Sequence, residues 1–138
     1  MMTEIKSQLH DWAESRNDIV FAYFHGSQVQ PEIVSARDAD IAIYLNPDVF
    51  AEHKREADLE WNLTIPAELE LEELLNAPVD LQVLNEAPLG FRYKVVSTGN
   101  VLCDKSPDKR DEFEYLARVE FFDFRPRQME YLREAAAV

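Results

Sequence analysis

Two short, unbroken apolar runs with polar residues between them constrain this chain most. Ile19-Val20-Phe21-Ala22-Tyr23-Phe24 runs through His25 into Gly26-Ser27. After ten intervening residues, Asp38-Ala39-Asp40 opens Ile41-Ala42-Ile43-Tyr44-Leu45. Runs of this length, rich in β-branched and aromatic residues, read as strands over 19–25 and 39–45. The unrelieved apolar character of the first predicts burial on both faces. A glycine directly after such a strand lets the backbone turn tightly and come close to a ligand, and N–H groups exposed beyond it can hold phosphate oxygens, with the Ser27 hydroxyl as a further donor.

Strand side chains alternate between faces, so Asp38 and Asp40 point one way and Ile41, Ile43 and Leu45 the other. A third strand is expected at residues 79–84, Val79-Asp80-Leu81-Gln82-Val83-Leu84. There Asp80 and Gln82 share a face opposite Val79, Leu81 and Val83. If these strands are neighbours, Asp38, Asp40 and Asp80 converge on one patch. Like-charge repulsion and desolvation make such a cluster costly without a cation. Hard oxygen donors favour magnesium or manganese over zinc. His25 is expected to pack, the alternative being a supporting contact behind the site.

Helical patterns fill the intervals, which makes an α/β (α+β) fold, a mixed sheet flanked by helices, the expectation for one domain spanning residues 1–138. Helices are expected over 3–16 with Thr3 as cap, over 48–64, and from Pro66 to Asn76. Glu68, Glu70, Glu72 and Glu73 supply an acidic exposed side to the last of these, and Leu71, Leu74 and Leu75 its apolar stripe. A short helix or loop is expected over 28–37, and a further helix over 88–98 stopped by Gly99. A short edge strand over 100–103 follows. Ser106-Pro107 starts a final helix, expected to run to Arg125, where Pro126 breaks or restarts it.

The net charge of −13 argues against direct nucleic-acid binding, which relies on Lys and Arg against phosphate, and favours a basic protein partner. The apolar runs are too short to span a bilayer. With no basic-then-apolar signal pattern and one cysteine, Cys103, a cytoplasmic protein is expected, and Cys103 is expected to pack as a small hydrophobe.

The pattern Gly26-Ser27, ten residues, Asp38-Ala39-Asp40 resembles the signature of the polymerase-β-like nucleotidyltransferase superfamily. The continuation from Val79 through Pro88, then Gly99-Asn100-Val101-Leu102, is similar to its minimal (MNT-domain) members, including the MntA-type antitoxins of HEPN/MNT toxin–antitoxin pairs. The resemblance covers roughly residues 3 to 133. It implies a site on one sheet face, two Mg2+ ions and ATP as substrate. Asp38 and Asp40 would hold both ions. Asp80 would bind the catalytic one and help activate the attacking hydroxyl, and Gly26 and Ser27 would hold the triphosphate. It further implies an antitoxin-type adenylyltransferase that transfers AMP to a tyrosine of a cognate HEPN ribonuclease toxin and so neutralises it.

One segment departs from that pattern. Where many members carry Ala-Arg-Gly after the Gly-Ser, this chain has Gln28-Val29-Gln30-Pro31-Glu32. Arg37, Arg92 and Lys94 are the cations that could take over a phosphate contact. At the other end, residues 106–138 place Phe113, Ala117, Phe121 and Phe124 on one helical face and Tyr115, Val119 and Phe122 on another. The second face is a candidate partner surface. The alternatives are a non-catalytic antitoxin that inhibits the same partner by binding, and a nucleotidyltransferase acting on a small-molecule hydroxyl.

Overall fold

The computed structural model describes residues 2–25, 39–53 and 55–137. The expected loop or helix over 28–37 lies outside them. Helix α1 (Met2–Ser15) begins ahead of the expected Thr3 cap and leads into β1 (Ile19–His25). Then follow β2 (Ala39–Leu45), α2 (Pro47–Glu52), α3 (Glu56–Leu59), a π-helical turn (Glu60–Thr64) and α4 (Ile65–Leu75). The chain continues through β3 (Val79–Val83), α5 (Leu89–Thr98), β4 (Asn100–Asp104) and α6 (Pro107–Ala137).

The four strands form one sheet in the order β3-β2-β1-β4. β1 runs antiparallel to β2 and β4, and β2 runs parallel to β3. Both faces are covered, which explains the apolar continuity of β1. On one face, Ala22, Phe24, Ile41 and Ile43 pack against Leu9 and Trp12 of α1 and Ala67 and Leu71 of α4. On the other, Phe21, Tyr23 and Ala42 pack against Val95 and Val96 of α5 and Ala117 of α6. A pairing irregularity between Ile19 and Phe21 sends these two to opposite faces, although residues two apart share a face in a regular strand.

Two expectations about the helices are corrected, while the helix carrying Pro66 in its first turn is present as Ile65–Leu75. The segment read as one helix over 48–64 breaks after Glu52, and the helix resuming at Glu56 passes through Pro66 to Leu75. The Ile65 N–H reaches the Glu60 carbonyl, a wider i to i−5 closure that makes room for the proline ring. α6 likewise continues past Pro126 to Ala137. The proline sacrifices one N–H and frees the carbonyl of Phe122, which stands in an exposed stretch where water can take it. The Ser106 cap behaves as expected, its hydroxyl accepting from the Lys109 N–H. Among the described residues no helix is long and apolar enough to cross a membrane.

Candidate active site on the face of the sheet

The register decides what the three acidic strands bring together. Asp40 of β2 is the pairing partner of His25 on β1 and of Asp80 on β3. Three side chains therefore stand in one row across three strands, about 4.8 Å apart strand to strand. Asp40 lies in phase with Ala42, and Asp80 alternates with Leu81, so the row is on the α5–α6 face. Asp40 and Asp80 are register partners on adjacent strands. Asp38, Gly26 and Ser27 lie outside the described residues.

Asp80 is exposed, and one of its oxygens accepts from Gln82 Nε2 at 2.8 Å, which orients the carboxylate. Gln82 sits two residues further along the same strand face, so the alternation that aims Asp80 also places its orienter. A cleft of about 800 Å3 opens beside Asp80 along the β3 edge and is bordered by Glu68, Gln82, Asn85 and Phe91. Among the described residues no three His, Cys, Asp or Glu side chains come together as a metal site. Asp40 and Asp80 supply the kind of donor that hard divalent cations take, carboxylate oxygen, and the side-by-side register keeps both on one face.

His25 is buried, and its ring stands edge-on to Phe91 at 5.6 Å. Burial pushes its pKa below the ordinary histidine value. The Asp40 and Asp80 carboxylates pull it back up, while the Lys94 ammonium pushes it down. It is thus a packed imidazole, as expected. Both ring nitrogens are buried without a hydrogen-bond partner among the described residues, which nothing in the residue pattern signalled. Of the candidate compensating cations, Arg37 lies outside the described residues. Arg92 is engaged elsewhere, donating to the Ala87 carbonyl at 2.9 Å and pairing with Glu120. Lys94, exposed on α5, is the cation whose field reaches the row.

On α4, Glu70 and Glu73 are exposed as expected, whereas Glu68 and Glu72 depart from that role. Glu68 and Glu72 are half-buried and accept hydrogen bonds from the main chain of β3. Glu70 accepts from Trp12 Nε1 and pairs with Arg16. The Glu68–Glu72 spacing of four was the available signal, since it puts both on one helix face.

The family model described as Polymerase beta, Nucleotidyltransferase matches residues 7–108, which contain the whole sheet and the site row. The chain belongs to the polymerase beta nucleotidyltransferase family. Solved structures share this nucleotidyltransferase fold with it at low identity. A chain of the tri-AMPylated Shewanella oneidensis HEPN toxin in complex with MNT antitoxin superposes with a TM-score of 0.70 at 18% identity, over 99% of both chains. A chain of the toxin–antitoxin MntA-HepT gives 0.68 at 16%, over 97% of this chain and 98% of that one. A toxin–antitoxin structure with AMP-PNP gives 0.71 at 17%, over 95% and 98% respectively. No curated protein matches the chain at a significant level.

Proposed function

We propose that this nucleotidyltransferase is a cytoplasmic antitoxin that transfers AMP from ATP to a tyrosine hydroxyl of a cognate HEPN ribonuclease toxin. The observation that carries the reading is the pairing of Asp40 with Asp80 on adjacent strands of this family's fold. The similar structures support the rest. They are complexes of toxin with antitoxin, one with an AMPylated toxin and one with an ATP analogue.

In this reading Asp38, Asp40 and Asp80 are catalytic and hold two Mg2+ ions, and Gly26 and Ser27 hold the triphosphate. When bound, the ions neutralise charge on the entering and leaving oxygens of an in-line displacement. Asp80, aimed by Gln82, receives the incoming hydroxyl and favours loss of its proton. Lys94, whose charge is felt at His25 in the row, would offer positive charge toward the phosphates, in a chain whose segment after Ser27 contains no arginine before Arg37. The tyrosine oxygen bonds to the α-phosphorus as the bond to pyrophosphate breaks. Most of the rate gain comes from positioning and from fixed charge.

The deciding experiment is the intact mass of the partner after incubation with this protein, ATP and Mg2+. The expected result is one or more AMP additions, absent with Asp40→Asn. An unchanged mass would refute the transferase reading. A second reading, inhibition by binding alone through the exposed Tyr115, Val119 and Phe122 on α6, predicts a stable complex without mass change. That stripe, within residues 106–138, is the proposed partner surface in both readings.

A further inference from the structure

We infer that Glu68 and Glu72 of α4 are positioning residues that hold the strand carrying Asp80. The inference rests on the catalytic role proposed above for Asp80. Asp40 stands on β2, an interior strand hydrogen-bonded on both sides, whereas Asp80 stands on β3 at the edge of the sheet. In an edge strand every second N–H points away from its one neighbour. At β3 these are the N–H groups of Val79 and Leu81, the residues on either side of Asp80. Glu72 Oε2 accepts from Val79 at 3.0 Å, and Glu68 Oε1 accepts from Leu81 at 2.9 Å.

The match is geometric. Four residues of α-helix rise about 6.0 Å, and two residues of strand advance about 6.6 Å. Glutamates four apart on α4 therefore meet the N–H groups two apart on β3, with helix and strand running in opposite directions. The arrangement is held at an electrostatic cost. Burial raises the Glu68 pKa, and the charges of Asp80, Glu72 and Glu60 raise it further, while the Leu81 N–H lowers it. A solvated edge would avoid that repulsion but would leave the backbone around Asp80 held from the β2 side alone.

The test compares Glu68→Ala with Glu68→Gln, whose amide oxygen can still accept from Leu81. In AMP transfer, Glu68→Ala is expected to raise the Mg2+ concentration for half-maximal rate by roughly 10-fold, the usual size of a ligand-orienting effect. The KM for ATP should stay near wild type, and Glu68→Gln should restore the Mg2+ dependence. Amide exchange at Leu81 should speed up in the alanine variant only. Wild-type Mg2+ dependence in Glu68→Ala would overturn the inference. So would a glutamine variant as impaired as alanine, since charge rather than hydrogen bonding would then matter. If Glu68→Ala does not fold, Glu72→Ala and Glu72→Gln make the same comparison at Val79. If the wild-type protein transfers no AMP, the proposed function fails. The clamp is then judged on amide exchange and on Mn2+-induced broadening of the Asp80 resonance, which Glu68→Ala should weaken and Glu68→Gln should not.

Discussion

Replacing Tyr23 by phenylalanine isolates one of the contacts that fasten α6 to the sheet. The Tyr23 hydroxyl donates to Glu114 Oε2 at 2.6 Å, and Arg110 donates to the same oxygen at 2.9 Å and to Asp104 at 2.7 Å. A hydrogen bond to a charged acceptor contributes about 1.5–3 kcal/mol. Glu114 keeps its Arg110 partner in the variant, which places the loss in the lower half, about 2 kcal/mol. With ~2.1 cal/mol/K of unfolding entropy per residue, that is a fall in Tm of about 7 °C for 138 residues. Alkaline pH supplies a second check. Burial first, then the hydrogen bond and charge of Glu114, push the Tyr23 pKa far above its ordinary 10.0. The folded state keeps a proton that the unfolded state releases, so the contribution is full below about pH 10 and is lost as pH rises above it. Urea titrations of both proteins should show a constant gap near neutrality that closes in alkali. A gap under ~0.5 kcal/mol, or one unchanged at about pH 11, would refute the reasoning.

At the site, Asp40→Asn should abolish AMP transfer. Asp80→Asn should lower kcat by at least ~100-fold with little change in nucleotide affinity measured by calorimetry; equal losses in both would contradict its role. Cys103 is buried, its thiol donates to Glu14, and burial pushes its pKa up to about 12. Alkylation of the native protein at pH 8 should accordingly be far slower than after unfolding, and equal rates would count against this burial. On α6, Tyr115→Ser with Val119→Ser should leave Tm nearly unchanged and weaken toxin binding at least ~10-fold, and an unchanged Kd would move the partner surface elsewhere.

Local chemistry made much of this protein legible. The apolar runs of β1 and β2 are too short and too continuous for amphipathic surface helices. The period-two alternation at Asp40-Ile41 and Asp80-Leu81 tells which side chains face together. Cap signals such as Ser106-Pro107 act over a few residues and need no tertiary partner. Pro126 was misread because the local proline penalty of ~3 kcal/mol did not end a helix whose freed carbonyl stands in an exposed stretch open to water. Glu68 and Glu72 were misread for the converse reason. Their spacing of four puts both on one helix face, but it does not say that an unpaired strand edge lies beside that face.

By itself, then, the sequence determined which residues are strand, which faces carry carboxylates, and that Asp40 and Asp80 could meet. Only the tertiary structure decided that they do, because register is a relation between segments forty residues apart, set by how both strands bury their other face. It also decided that Asp80 stands on the edge strand, where the Val79 and Leu81 N–H groups on either side of it donate to the carboxylates of α4, and that His25 completes the row as a buried ring.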